Sequence, residues 1–213
     1  MTELKTRIFT SALLFLVLYF VLINNIILLI VLLYIFYLSF IEFNNIFKKI
    51  FKNNNLFHFF LILIVSLYLV FFSLIIYLYL TLEFNNNKII FLFLLSVSIS
   101  TDIGGYCFGK IFKGKKLTKI SPNKTYSGAI GSIGLSILVA FIFFKNLDLN
   151  YNYLIITILL SFISQFGDLF VSYLKRKAKI KNTGSLLPGH GGILDRIDGV
   201  LFVLPFGIIL INI

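Results

Sequence analysis

Long apolar runs dominate this chain of 213 residues, and they constrain its fold more than any other feature. Seven such runs stand at about 8–23, 26–43, 56–82, 89–108, 128–144, 153–173 and 199–213. A helix needs about 20 residues to cross a bilayer, with a range of about 17 to 25, and most of the runs reach that length. Hydrophobic residues make up 59% of the chain and charged residues 13%, far from the balance of a soluble domain. We therefore predict an all-α, polytopic integral membrane protein with about seven transmembrane helices, eight being the alternative.

The distribution of basic residues predicts the orientation of these helices. If the N-terminus is cytoplasmic and the spans alternate, all but Lys88 and Lys145 of the 19 Lys and Arg residues lie on the inner side. Cytoplasmic loops of membrane proteins carry such an excess of positive charge. The net charge of +11 is then explained without nucleic acid as a partner. We expect the chain to lie in the inner (cytoplasmic) membrane, with any chemistry at the cytoplasmic face.

Two of the inner loops, at about 109–127 and 174–198, contain Gly, Pro, Ser and Thr besides Lys, and the second also contains His. A loop that only connects two helices does not need these reactive and conformationally special residue types. We expect residues 1–95 to form N-terminal transmembrane spans. Residues 96–213 would then form a C-terminal catalytic half that carries both loops.

Four acidic residues in this half are candidate metal ligands or charge partners. Asp102 and Asp168 lie in or beside apolar runs, where a carboxylate costs about 2.5–3.5 kcal/mol and normally faces a partner or a wet cavity. Asp195 and Asp198 are three residues apart, so a helix starting near Leu194 would place both on one face. Interfacial water, or pairing with Arg196, is the simpler alternative. Asp168, Asp195 and Asp198 together offer the hard oxygen donors that Mg²⁺ prefers alongside substrate phosphates.

The segment 172–199 reads SYLKRKAKIKNTGSLLPGHGGILDRIDG and concentrates Lys, Arg and Gly before the two acids. Glycine lets backbone N–H groups approach an anion closely, and a following helix N-terminus favours negative charge. His190 alone would more often be a hydrogen-bonding loop residue. Together with the basic residues, the segment predicts a phosphate and metal site.

The other basic loop reads KLTKISPNKTYSGAIG over residues 116–131. Its Lys and hydroxyl side chains could hold a polyphosphate, or could contact anionic lipid head groups. The small residues that follow, Gly128, Ala129, Gly131 and Gly134, are expected to let membrane helices pack closely.

In these loops and acidic residues the sequence resembles the phosphatidate cytidylyltransferase (CDP-diacylglycerol synthase) family. The family signature is matched by Ser172, Lys175, Arg176, Lys181, Pro188, His190, Gly191, Gly192, Asp195, Arg196 and Asp198. The segment 167–169, Asp102, Tyr106, Gly109 and the loop at 121–125 also resemble the family. The chain departs from it at Asn182, where the family usually has Asp, and at Ile103 and Ser127. The resemblance covers about residues 98–213.

The resemblance implies that CTP and phosphatidate react to CDP-diacylglycerol and pyrophosphate, with Mg²⁺ as cofactor and phosphatidate drawn from the inner leaflet. The catalytic residues it implies are Asp168, Lys175, Arg176, His190, Asp195 and Asp198. Asp168, Asp195 and Asp198 would bind the metal. Substrate would contact Asp102, Ser121, Lys124, Thr125, Lys181, Gly191, Gly192 and Arg196. The oligomeric state stays open, with a homodimer as one option.

Two other functions remain open. One is a CTP-dependent lipid-alcohol kinase of related membrane design, because transfer of a cytidylyl group and of a phosphate can share these residues. The other is a small anion transporter with a basic cytoplasmic vestibule. A transporter needs polar residues distributed through the bilayer, and the first four runs contain few.

Overall fold

The fold is described from a computed structural model that covers residues 3–82, 86–118, 121, 124–147, 152–184 and 191–212. Within these ranges, the side chains of residues 3–9, 144–147 and 152 are not described. All regular secondary structure in the described part is helical, and Lys116 and Thr125 form an isolated antiparallel bridge.

Each of the seven apolar runs lies on one helix. The helices are α1 Glu3–Ile23, α2 Asn25–Ile50, α3 Asn55–Thr81, α4 Asn87–Phe112, α5 Tyr126–Leu147, α6 Asn152–Lys177, α7 Leu194–Ile197 and α8 Val200–Asn212. Five of them, α2 to α6, contain stretches long and apolar enough to cross a membrane, and Thr10–Ile23 and Val200–Asn212 are shorter apolar helices. The all-α, polytopic membrane fold is confirmed, while the number of seven spans and their orientation stay predictions.

Contacts divide the chain into two compact units. The first unit comprises Met1–Leu82 and Leu174–Ile197, and the second comprises Glu83–Tyr173 and Asp198–Ile213. The predicted division into 1–95 and 96–213 concerns function and stays a prediction.

In the first unit, asparagine side chains cap the helices where the apolar runs are interrupted. Asn24 alone separates α1 from α2, and its Oδ1 accepts the amide N–H groups of Ile26 at 2.8 Å and Ile27 at 3.2 Å. Asn54 caps α3 in the same way, accepting the N–H of Phe57 at 3.0 Å. These caps satisfy N–H groups that have no partner within their own helix. The short connections let α2 and α3 pack against each other.

In the second unit, small residues bring α4 and α5 into close contact. A Cβ added to Gly104 of α4 would lie 2.6 Å from the carbonyl oxygen of Gly131, and one added to Gly128 would lie 2.7 Å from the carbonyl oxygen of Gly105. The helix backbones therefore touch along this seam. The expected packing role is confirmed for Gly128 and Gly131, whereas at Gly134 an added Cβ meets nothing within 4 Å.

Exchange of Gly104 for Ala should destabilise the protein, while the same exchange at Gly134 should not. At Gly104 the new methyl group would meet backbone atoms of Gly131 and Ser132, which can yield only if the helices separate. Overpacking of this kind costs about 1–3 kcal/mol. The thermal unfolding midpoints of both variants in detergent would measure the difference. A Gly104→Ala variant as stable as Gly134→Ala would contradict the close backbone contact.

The expected helix at Leu194 begins there, but it stops after one turn. Arg196 and Ile197 donate their N–H groups to the carbonyl of Ile193, and a new helix starts when Val203 donates to the carbonyl of Gly199. A Cβ at Gly199 would lie 2.5 Å from Ser164 Oγ, so this backbone packs tightly on α6. The expectation of one continuous helix through Asp195 and Asp198 is therefore wrong, because Asp195 lies on α7 and Asp198 lies in the break between α7 and α8. That the two carboxylates share one face stays a prediction.

Candidate functional site

A cavity of about 290 Å³ in the second unit gathers several of the predicted site residues. It lies among α4, the loop before α5, α5 itself and α6. Its walls include small residues, hydroxyl groups and charged side chains of both signs. The predicted residues on its walls are Asp102, Ser121, Lys124, Thr125 and Asp168. Gln165, which the sequence analysis did not single out, lines it as well. Residues separated by more than sixty positions in sequence thus meet at one cavity.

An ion pair between Lys124 and Asp168 spans this cavity. The Asp168 carboxylate also accepts the hydroxyl of Ser172, one turn later on α6, at 3.3 Å. Both charged side chains are about a quarter exposed, at 25% for Lys124 and 28% for Asp168. They are accessible to a bound ligand while still shielded enough for their charges to act strongly.

The loop before α5 is folded back on itself, which presents Lys124 to the cavity. Leu117 donates its N–H to the carbonyl of Lys124 at 2.8 Å, and Tyr126 donates to the carbonyl of Lys115 at 3.1 Å. The reversal begins at Lys113 and Gly114, both with positive φ. This conformation costs Gly little, which explains a glycine at that turn.

Thr125 stabilises the start of α5. Its Oγ1 accepts the N–H of Gly128 at 3.1 Å, which is the geometry of a helix N-cap. It also contacts the hydroxyl of Ser127 at 3.0 Å, and Ser127 donates to the carbonyl of Lys113. Ser127, a departure from the family pattern, therefore ties the loop to the helix.

Asp198 lies in the same unit, and its backbone contacts α6 at Gly167, the residue before Asp168. A Cβ on Gly167 would lie 2.5 Å from the carbonyl oxygen of Asp198, so only glycine permits this approach. The side chain of Asp198 is buried, with 7% of the residue exposed, and its Oδ1 accepts the N–H of Gly199 at 3.0 Å. The backbone of Asp198 is therefore in contact with the residue that precedes Asp168 on α6.

A second charged cluster lies in the first unit, where Lys175 at the end of α6 donates to Asp195 at 2.6 Å. The other carboxylate oxygen of Asp195 accepts the N–H of Thr183 at 2.9 Å and the N–H of Gly192 at 3.2 Å. It also lies 3.1 Å from the hydroxyl of Thr183, whose single proton is shared with a closer acceptor on α2. Only 12% of either charged side chain is exposed.

The surroundings of Asp195 keep it ionised. Burial raises the pKa of this carboxyl group, but the hydrogen bond and the charge of Lys175, with the N–H groups of Thr183 and Gly192, outweigh that effect. The pKa of Asp195 therefore lies below its ordinary value of 3.8. At neutral pH the Asp195 side chain is therefore a carboxylate.

A further carboxylate in the first unit, that of Glu42 on α2, was not predicted from the sequence. Glu42 is 2% exposed, and its oxygens accept hydrogen bonds from Thr183, Ile193 and Leu194. A carboxylate inside an apolar run is the signal that could have found it, because such a group is normally paired.

The remaining predicted residues differ in exposure and in how much of them the structure describes. Arg176, Lys181 and Arg196 are exposed. Gly191 has a φ of 84°, which favours glycine, and a Cβ there would lie 3.1 Å from the carboxylate of Asp195. His190 and Pro188 lie outside the described residues, so their predicted roles stay predictions.

In the described part of the chain, no group of three or more His, Cys, Asp and Glu side chains could hold a metal ion. That Asp168, Asp195 and Asp198 share a metal ion stays a prediction. Asp168 and Asp198 nevertheless lie on backbone segments in contact. Mg²⁺ is commonly held by one or two carboxylates together with substrate phosphates, and this pair fits that chemistry. Both oxygens of Asp195 already accept protein donors, so a metal would compete with Lys175 there.

The described part is that of a helical membrane protein, with a cavity that bears an ion pair in one unit and a hydrogen-bonded cluster of charged side chains in the other. The Cytidylyltransferase family model matches residues 2–213 of this chain. The chain therefore belongs to the cytidylyltransferase family.

Individual relatives carry a more specific name. The phosphatidate cytidylyltransferase of Bacillus subtilis (strain 168) is 50% identical over 111 residues, which cover 50% of this chain and 41% of that protein. The phosphatidate cytidylyltransferase of Staphylococcus saprophyticus is 47% identical over 118 residues, covering 53% of this chain and 45% of the relative. The match thus extends over less than half the length of these relatives.

Proposed function

We propose that this protein is a phosphatidate cytidylyltransferase, which converts CTP and phosphatidate to CDP-diacylglycerol and pyrophosphate. The observation that carries the proposal is the cavity with the Lys124–Asp168 pair, in a chain of the cytidylyltransferase family. At about 290 Å³ the cavity is at the lower end of ligand pockets, which span about 300–1,000 Å³. That size suits a phosphate-bearing part of a substrate better than a whole nucleotide and a lipid together.

The reaction makes modest demands on the protein. An oxygen of the phosphatidate phosphate attacks the α-phosphorus of CTP. The bond from that phosphorus to the oxygen between the α- and β-phosphates breaks, and pyrophosphate leaves. The attacking oxygen is already anionic, so no strong general base is needed. What the protein must supply is in-line positioning and neutralisation of negative charge.

The chain has residues suited to both tasks. Lys124 is partly exposed at the cavity and can meet a phosphate oxygen by exchanging its bond to Asp168 for one to substrate. Lys175 is held in place by Asp195, and Arg176 beside it is exposed. Arg and Lys at an interface are suited to binding phosphate groups. Asp168 and Asp198 would hold Mg²⁺, which supplies further charge neutralisation on the phosphates when bound.

The proposed location follows from the substrates. CTP is a cytosolic nucleotide, and phosphatidate presents its phosphate at the membrane interface. The cytoplasmic face of the inner membrane, with a cytoplasmic N-terminus, is the arrangement in which both reach the site. A homodimer is compatible with this proposal, which needs only one chain.

The test uses two labelled forms of CTP with purified protein, Mg²⁺ and phosphatidate vesicles. Label in the α-phosphate should move into a lipid product, and label in the γ-phosphate should appear in pyrophosphate. If instead the γ-label enters a lipid when a lipid alcohol is supplied, and the α-label does not, the protein is a lipid-alcohol kinase. Absence of both transfers from well-folded protein would contradict the proposal.

The proposed orientation predicts which cysteines an impermeant thiol reagent can reach. In a Cys107→Ala background, cysteines at the exposed positions Asn54, Lys115 and Lys179 should react only from the cytoplasmic side. A cysteine at Asn86, also exposed, should react from the opposite side. Labelling in right-side-out and inverted vesicles makes the comparison. Reaction at position 179 from outside would place the basic loop away from CTP and overturn the orientation.

A further inference from the structure

The Glu42 carboxylate accepts main-chain hydrogen bonds near one end of the segment 172–199, which carries most of the family signature. Its Oε1 accepts the N–H of Ile193 at 2.8 Å, and its Oε2 accepts the N–H of Leu194 at 3.0 Å. A buried carboxylate with N–H donors on both oxygens is well satisfied, and hydrogen bonds to a charged acceptor are stronger than neutral ones. Glu42 and the segment are far apart in sequence, so this contact fixes where the segment lies within the first unit.

Thr183 connects Glu42 to Asp195. Its hydroxyl lies 2.5 Å from Glu42 Oε2 and 3.1 Å from Asp195 Oδ2, while its N–H donates to Asp195. Asp195 in turn accepts the ammonium group of Lys175. One hydrogen-bonded chain thus runs from Glu42 through Thr183 to the Lys175–Asp195 pair.

Two glycines make room for the Glu42 carboxylate. A Cβ on Gly192 would lie 2.6 Å from Glu42 Oε1 and closer still to the hydroxyl of Thr183. A Cβ on Gly184 would lie 2.9 Å from the same Oε1. The identity of Gly192, which the sequence analysis assigned to substrate binding, is thus also explained by the approach of Glu42.

We propose that Glu42 is a positioning residue for the active site. It anchors residues 192–194 and Thr183, and through them sets the position of Asp195 and Lys175. The inference rests on the proposed cytidylyltransferase function for its effect on turnover, but the anchoring itself can be measured without any substrate.

Hydrogen–deuterium exchange of the amides of Thr183, Ile193 and Leu194 measures the anchoring directly. In Glu42→Gln, the side-chain NH₂ replaces one acceptor, so one donor of the segment faces another donor. Exchange at Ile193 or Leu194 should become faster by about tenfold or more, because protection reports the lost bond. Ser39→Ala is the matched control, since Ser39 is a buried polar residue on the same helix whose hydroxyl has no partner among the described residues. It should leave both exchange and activity unchanged.

Two substitutions at Thr183 test the same series of hydrogen bonds without altering a membrane helix. Thr183→Val keeps the shape and the N–H but removes the hydroxyl bond to Glu42, whereas Thr183→Ser keeps the hydroxyl. We expect Thr183→Val to speed exchange at Leu194 and lower kcat about tenfold, and Thr183→Ser to restore both. Rescue by serine distinguishes the hydrogen bond from a general packing role.

The outcomes separate this inference from the proposed function. Unchanged exchange in Glu42→Gln and Thr183→Val would overturn the anchoring. Faster exchange with normal CDP-diacylglycerol formation would overturn the positioning role. If the unaltered protein makes no CDP-lipid, the proposed function fails and the role in turnover fails with it, while the exchange data still decide whether Glu42 anchors the segment.

Discussion

Asp168→Asn is expected to lower turnover of CTP and phosphatidate by about 100-fold or more, with the fold intact. Asn has nearly the same shape as Asp, so the cavity should keep its form. The substitution removes the negative charge that pairs with Lys124 and that would hold Mg²⁺ beside the phosphates. Loss of one preorganised electrostatic group in an active site costs on the order of 10²–10³ in rate. Initial rates with α-labelled CTP, alongside the thermal unfolding midpoint, would make the measurement.

A double variant separates a functional role of this pair from a structural one. If Lys124 and Asp168 serve only to neutralise each other, Lys124→Ala combined with Asp168→Asn should recover much of the activity lost by either change. If each contacts substrate or metal, the double variant should be no more active than the poorer single variant. We expect the second result. Recovery of near-normal turnover would assign the pair to stability alone.

Asp198→Asn and Asp195→Asn are expected to lower turnover by orders of magnitude and to raise the Mg²⁺ concentration needed for half-maximal rate. Carboxylates that share a cation repel one another without it, so losing one ligand weakens the site sharply. Asp198 should show the larger change in Mg²⁺ requirement, because both oxygens of Asp195 already accept protein hydrogen bonds. Rates measured over a Mg²⁺ titration would separate a metal ligand from a residue that only orders the loop.

Asn182→Asp is the control for this series, because it adds the carboxylate that the family usually carries. It should be tolerated, with activity equal to or above that of the unaltered protein. Near-normal turnover and unchanged Mg²⁺ requirement in both Asp195→Asn and Asp198→Asn would eliminate the metal-site assignment. The cytidylyltransferase proposal would survive that result, since charge neutralisation could then come from Lys and Arg.

Much of the fold could be predicted because its determinants are local. An apolar run of sufficient length forms a helix in a membrane whatever its neighbours, so each run became a helix. The glycines that open α5 likewise predicted a close helix contact, which Gly128 and Gly131 make. Gly134 has the same composition signal but faces open space, because sequence does not specify which side of a helix meets a partner.

The residues of the candidate site could be predicted from the sequence better than the contacts and helix ends that position them. Asp102, Lys124 and Asp168 were selected one by one, and the fold brings them to one cavity. The break after Ile197 was not foreseen, since the run from Leu194 onward reads as one continuous helix. At this break Gly199 packs tightly on Ser164, a contact between residues distant in sequence.

Glu42 was missed for a related reason. The first apolar runs were interpreted only as generic spans, and a single acid near the end of one did not stand out among them. Its partners are main-chain groups and one hydroxyl, which carry no recognisable pattern of side chains. Pairing of a side chain with a backbone leaves a trace at only one of the two positions.

The attachment of Glu42 to main-chain N–H groups has a consequence for substitution tolerance. Every amino acid except proline supplies the N–H that Glu42 accepts at position 193, so the hydrogen bond there sets no requirement on the side chain. In a saturation library, position 193 should accept many residues and reject proline, whereas position 42 should accept very few. Leu194 should be more restricted than Ile193, because its side chain is also fully buried.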